Sequence, residues 1–444
     1  MLYKESFRPR FHFTAPSGWL NDPVGLVYYQ GEYHLFFQHN PHDVMWGPMH
    51  WGHAVSNDLL HWQHLPIALE PDEMGTIFSG SAAVDWQNSL GLQIGDEPVM
   101  VAAYTSAGEH ATPQKPYTQC LATSHDHGRT WQKYAGNPIL GNVSGGADRD
   151  PRIFWHALTQ SWVMVLYLDR EPSFGIFNSP DLLHWQQVSV ISGFYECPDL
   201  FELPVAGQTG ESRWVLSGAD GGYLIGQFDG QVFTPESEKL TLDHGYNFYA
   251  SQTWNDIPRE DGRRIQMTWM RGGQYPDMPF NQQMAIPCEL SLHKTVDGLR
   301  MFRWPVREIE GLYGDTVTIE IATVDAGKDL LPNFEGDCFD LRLELDLSEA
   351  QGFTLEIFGE QIVYDKPANL LTCCDMQAPL EPRDVLLSLR ILVDVTSLEI
   401  FAFDGAFSMS NCYLRQEGAC PLRLHLNEGM LLVKEMRINH INSL

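Results

Sequence analysis

Ser56-Asn57-Asp58-Leu59-Leu60-His61-Trp62 recurs as Ser179-Pro180-Asp181-Leu182-Leu183-His184-Trp185, and a looser copy, Ser124-His125-Asp126-His127-Gly128-Arg129-Thr130-Trp131, lies between them. Each copy follows a strand-like run, at residues 52–55, 119–123 and 175–177. In such a segment Ser and Asp side chains bond nearby backbone and close a turn, while the Trp plugs its base. The three aspartates stand 68 and 55 residues apart. A period near 60 suits one four-stranded propeller blade with generous loops, and roughly 300 residues at that period make about five blades.

The flanking sequence agrees. Short β-rich runs occupy residues 24–29, 33–38, 99–104, 162–168, 214–217 and 264–270, separated by Gly, Pro, Asn and Asp turns. No long stretch carries apolar residues at helical spacing, so the chain reads as all-β. Its character changes near Gly311, because all 13 tryptophans precede Pro305. The remainder reads as strands 316–323, 339–347, 354–358, 386–393, 397–401, 422–426 and 431–438, the pattern of a β-sandwich. Leu341-Arg342-Leu343-Glu344-Leu345-Asp346-Leu347 alternates as a sheet with one wet face should. The expected organisation is a five-bladed β-propeller over residues 1–305 and a C-terminal β-sandwich over 312–444.

Composition narrows the partners. The 444 residues carry 28 Lys plus Arg against 57 Asp plus Glu, a net charge of −29, with 43% apolar residues. That is a globular mixture whose acidity repels nucleic acid and anionic membrane surfaces and favours a neutral or cationic substrate over a polyanion. No run of 18 apolar residues provides a membrane span. The first ten residues lack the apolar stretch of a secretory signal, so the expected location is the cytoplasm. Eight scattered cysteines, at 120, 197, 288, 338, 373, 374, 412 and 420, form no C-x-x-C pair and argue for reduced thiols without a zinc site.

Three carboxylates sit in segments unlike ordinary strand or turn. Asp22 lies in Trp19-Leu20-Asn21-Asp22-Pro23-Val24-Gly25, Asp150 in Asp148-Arg149-Asp150-Pro151, and Glu196 in Phe194-Tyr195-Glu196-Cys197-Pro198-Asp199. Proline directly after both aspartates fixes the chain just past the acid. Propeller strands nearest the axis can project distant residues into one funnel. Two carboxylates flanking a glycosidic bond are the minimum equipment for its hydrolysis, and the many tryptophans suit the apolar faces of sugars. His50 and His53 in Met49-His50-Trp51-Gly52-His53 specify no third metal ligand. Gly145-Gly146 opens no helix for a phosphate, and Ser79-Gly80-Ser81 lacks a nucleophile elbow's frame.

Together these segments resemble the β-fructofuranosidase family of glycoside hydrolases, family 32, which holds invertases, levanases and exo-inulinases. Trp19–Gly25 is similar to its W-M-N-D-P-N-G box, and Phe36-Phe37-Gln38-His39-Asn40-Pro41 with Trp46-Gly47-Pro48-Met49-His50-Trp51-Gly52 to the next block. Phe78-Ser79-Gly80-Ser81, Arg149-Asp150-Pro151 and Glu196-Cys197-Pro198 are similar to F-S-G-S, R-D-P and E-C-P. Tyr249-Ala250-Ser251-Gln252-Thr253-Trp254 and Thr268-Trp269-Met270 follow in family order. The resemblance implies a five-bladed propeller followed by a sandwich.

It also implies roles. Asp22 would be the nucleophile at the anomeric carbon of a terminal fructosyl unit. Glu196 would be the general acid and base, its carboxyl raised by burial and by neighbouring charges. Asp150 would stay ionised and hold fructose hydroxyls, with Arg149 binding substrate and keeping Asp150 charged. Asn21, Gln38, Trp46, Phe78, Ser79, Tyr249 and Trp269 would wall the pocket, and neither metal nor organic cofactor is needed. Two positions depart from the family pattern. Val24 stands where Asn is usual, which bears on how the nucleophile loop is braced. Asn247 stands where Asp is frequent, which bears on leaving-group recognition. The function expected is release of fructose from sucrose, fructo-oligosaccharides or fructans. Fructosyl transfer through the same intermediate, or a catalytically inactive fructan-binding protein, are the alternatives. Oligomeric state is not legible.

Overall fold

The repeated turn forms as its residues dictate. Asp58 Oδ1 accepts the backbone N–H of Leu60 and His61 at 3.0 and 2.8 Å, and Asp181 Oδ1 accepts those of Leu183 and His184 at 3.0 and 2.9 Å. Asp126 does the same for Thr130. The residue after each Asp takes a left-handed conformation, with φ of 69° at Leu59, 56° at His127 and 65° at Leu182. Trp131 and Trp185 donate their indole N–H to carbonyls inside their own turns, and the stacked indoles of Trp62 and Trp254 close the first. Two further corners escaped the sequence pattern. Asp229 accepts from Gln231 and Val232 as the earlier aspartates do, whereas at Asp297 the backbone N–H donates to Thr295 Oγ1; neither has a Trp beside it.

The computed structural model describes residues 4–331, 333–426 and 428–442. Among the described residues, five antiparallel sheets lie before Arg307. Their first strands in chain order are Gly18–Tyr29, Thr76–Asp85, Arg149–His156, Asp199–Pro204 and Phe248–Thr253. Later strands pair outward from these one after another, and Phe280–Asn281 returns to pair in parallel with Gly18–Trp19.

The five first strands face one another; Val27 and Asn255 make a parallel backbone bridge, and side chains make further links. Asn255 Nδ2 donates to the carbonyls of Ala82 and Ile153 at 2.7 and 3.0 Å, and Arg152 Nη2 donates back to Asn255 Oδ1 at 3.0 Å. Asp199 pairs with Arg152 at 2.7 Å and accepts the Thr253 N–H at 2.7 Å. These contacts join four sheets at one buried point, where an unpaired partner would carry the full cost of its desolvation.

From Tyr313 on, two six-stranded sheets stack as a β-sandwich. Leu341, Leu343 and Leu345 point into its core while Arg342, Glu344 and Asp346 stay half-buried, as the alternation predicted. The sequence pattern missed Glu360–Asp365, Leu370–Cys373, Met376–Pro379 and Phe407–Cys412. The sandwich is tied to the rest by an apolar seam in which Phe11, Leu60 and Ile286 meet Leu392, Val395 and Phe401. A buried charge cluster reinforces it. His12 bonds Asp394 through Nδ1 and Glu399 through Nε2, both at 2.7 Å, and Arg303 reaches Glu399 and Asp243. No helix among the described residues is long and apolar enough to cross a membrane.

Candidate active site

The first strands all begin at one end of the domain, and the acids sit at those beginnings. Asn21 and Asp22 come from Gly18–Tyr29, Phe78 and Ser79 from Thr76–Asp85, Arg149 and Asp150 from Arg149–His156, and Tyr249 from Phe248–Thr253. Glu196 precedes Asp199–Pro204, while Gln38 and Trp269 come from neighbouring strands and Trp46 from a loop. All eleven line a single pocket of about 400 Å³, together with Tyr195 and Arg271.

Asp22 Oδ2 accepts the Ser79 hydroxyl at 2.5 Å, and Oδ1 accepts Asn21 Nδ2 at 3.1 Å. Asn21 is held in turn by the Trp19 indole N–H at 2.8 Å. Burial pushes the Asp22 carboxyl up; these donors oppose that, and the charge of Glu196 adds to it. Asp150 Oδ2 accepts the Cys197 backbone N–H at 3.0 Å. The Cys197 sulfur lies 3.7 Å from both Asp22 Oδ2 and Asp150 Oδ2, so the two aspartates flank one atom. Burial lifts Asp150 to about 7 against the pull of Arg149, with Glu196 and Asp22 lifting it further.

Backbone strain aims these groups. Asp150, Glu196 and Cys197 take φ of 65°, 49° and 43°, conformations that cost energy for L-residues and gather at functional sites. Both Glu196 oxygens are engaged, Oε1 by Arg149 Nη2 at 2.6 Å and Oε2 by the Tyr249 hydroxyl at 2.5 Å.

Arg149 forms its ion pairs with Glu196 and Asp169, and acts on the adjacent Asp150 through its charge, as the sequence reading expected. The carboxyls that burial pushes up are Asp22 and Asp150. Asp169, which the sequence reading missed, sits beyond the pocket wall and fixes Arg149 at 3.2 Å while accepting the Ala147 N–H. Tyr195 and Arg271 were missed too, although one precedes the acid of E-C-P and the other lies two residues past Trp269.

The walls are equally specific. Gln38 is 2% exposed and its Nε2 has no hydrogen-bond partner among the described residues, an arrangement that awaits a ligand acceptor. Trp269 and Trp19 meet edge to face at 6.3 Å, Tyr249 packs on Trp269, and the half-exposed Trp46 stands against Phe78 at the mouth. The two departures lie off the pocket. Val24 is wholly buried among Val27, Phe36 and Trp51. Asn247 spends its amide on the Arg271 carbonyl at 2.6 Å and the Cys412 N–H at 2.7 Å, bracing the sandwich rather than facing a leaving group.

Buried carboxylates around an unpartnered amide, with the indoles of Trp46 and Trp269 in the wall, are the equipment of one class, a glycoside hydrolase. The model of the glycosyl hydrolases family 32 N-terminal domain matches residues 12–305, and that of the family's C-terminal domain matches 308–419. The chain belongs to glycosyl hydrolase family 32. Over 98% of its length it is 38% identical to a levanase of Bacillus subtilis, of which it spans 71%. Its fold superposes on an exo-inulinase of Aspergillus awamori with a TM-score of 0.90, at 27% identity and with both chains wholly covered. A β-fructofuranosidase of Schwanniomyces occidentalis, solved with fructosyl-erythritol, gives 0.86 at 28% identity over 98% of each chain.

Proposed function

We propose that this protein is a retaining β-fructofuranosidase that releases terminal fructose from sucrose, fructo-oligosaccharides and fructans. The observation that carries the reading is the convergence of Asp22, Asp150 and Glu196 on one pocket from three separate sheets. The five N-terminal sheets are read as the blades of a five-bladed propeller over residues 1–305, and residues 312–444 as the sandwich domain. The polar bridge at Asn255 and the return of Phe280–Asn281 to the first strand support a closed ring.

Asp22, ionised and steadied by Ser79 and Asn21, attacks C2 of the fructosyl unit and forms an ester with it. The C2–O bond breaks, and the leaving oxygen takes its proton from Glu196. Water then attacks C2, Glu196 recovers the proton, and Asp22 is freed with the anomeric configuration retained. Asp150 and Gln38 hold the fructose hydroxyls, and hydroxyl donors favour the charged form of Asp150. Tyr195, Trp46 and Arg271 stand at the rim, where the departing sugar lies.

Incubation with sucrose, 1-kestose, inulin and levan tests this. Free fructose should match or exceed free glucose with sucrose and kestose. Excess glucose without matching fructose would make the protein a fructosyltransferase, and no release of either sugar would leave a binding protein.

A further inference from the structure

The strands that open onto the catalytic pocket end at a second hollow. Ser79 and Val84 share one first strand, and Asp150 and Trp155 share another. Five residues of strand span roughly 16 Å, so the two cavities lie at opposite ends of the sheets. The second measures about 390 Å³, close to the first, and the two share no lining residue.

Its lining is not that of a packing defect. Trp86 is 54% exposed, and Trp155 and Trp214 are half-buried around the same space. Asp256 is anchored between them: Oδ1 accepts the Trp86 indole N–H and Oδ2 the Val84 N–H, both at 2.9 Å. Each carboxylate oxygen keeps acceptor capacity beyond those bonds. Arg259 and Arg264 also line the hollow. Flat indole faces beside an oriented carboxylate and guanidinium donors suit a ring with an apolar face and hydroxyl edges. The net charge of −29 disfavours an anionic occupant.

We propose that this hollow binds a neutral oligosaccharide, stacked on Trp86 with its hydroxyls on Asp256 and Arg259. Taking the catalytic reading as given, the occupant is a fructan segment remote from the end being cleaved. Such a second hold raises the local concentration of polymer without touching the reacting bond.

The test is calorimetric titration of the Asp22→Asn protein with nystose, alone and combined with Trp86→Ala or Trp86→Tyr. The expected stoichiometry is two sugars per chain, falling to one with Trp86→Ala and restored by Trp86→Tyr. One sugar per chain in all three proteins, or none, would overturn the proposal. Because the Trp86 ring is half exposed, its removal leaves the core intact. A wild-type enzyme that releases no fructose, while a Trp86-dependent site persists, would sink the catalytic reading and leave this one standing.

Discussion

Arg149 Nη2 lies 2.6 Å from Oε1 of Glu196, and the Tyr249 hydroxyl takes the other oxygen. The carboxylate proposed as the acid is therefore held from both sides, by groups from two other sheets. Glu196→Gln keeps that geometry and removes the transferable proton. Turnover of sucrose should fall roughly 10²–10⁴-fold, while a fructoside with an activated aryl leaving group should lose much less. Equal losses in kcat for the two substrates would argue against Glu196 as the acid.

Asp150→Asn should trade stability for function. Burial raises the folded-state carboxyl to about 7, above its unfolded value of about 3.9. The folded protein thus binds the extra proton between those values, and stability falls as pH rises through that window. The Asn variant carries no such cost, so near pH 8 it should be more stable than wild type by on the order of 2–4 kcal/mol, read as a higher unfolding temperature. The gap should close below about pH 4, where both states of the wild type are protonated. Activity should be lost at every pH. A variant less stable than wild type near pH 8 would contradict the assignment.

Gln38 offers a buried donor with no partner among the described residues. Gln38→Leu should leave the fold as stable or more so, since an unsatisfied amide is removed. kcat/KM for sucrose should drop roughly tenfold, the worth of about one hydrogen bond. Unchanged kinetics would place the fructose elsewhere.

His12 is a separate test, of the seam between the two parts of the chain. Burial alone would lower its imidazole, but the bonds to Asp394 and Glu399 reverse that and hold it at about 9. A raised histidine stabilises fully below its unfolded value near 6.5, and the contribution is lost as pH climbs to about 9. His12→Ala takes from Asp394 its charged partner and leaves Glu399 with the longer ion pair to Arg303 at 3.4 Å, and should cost about 3–5 kcal/mol. Thermal unfolding at about pH 6 and pH 9.5 should show the larger deficit at the lower pH. An equal deficit at both would mean that the ring is uncharged.

Much of this was legible in the chain. The Ser-x-Asp turn announced three corners because its chemistry is local: an Asp bonding backbone two and three residues on needs no distant partner. Corners at Asp229 and Asp297 were hidden because they use other residues and have no Trp. The pocket residues were legible as family segments, each tied to the start of a strand. Partnerships were not. Which of two adjacent acids Arg149 would choose depends on which face of the strand it leaves, and Asp169 and Arg271 acquire roles only once the sheets close around them. Asn247 and His12 belong to contacts with the sandwich, 165 and more than 380 residues away in sequence, where no local signal exists.

The central claim is that Asp22 becomes covalently joined to fructose. Intact-mass and peptide mass spectrometry of the Glu196→Gln protein, quenched during turnover of an activated fructoside, measures this directly. The expected result is a gain of one anhydrofructosyl unit on the peptide that contains Asp22, absent in the Asp22→Asn, Glu196→Gln double variant. An adduct on the peptide carrying Asp150, or rapid turnover with no adduct on any peptide, would contradict the account.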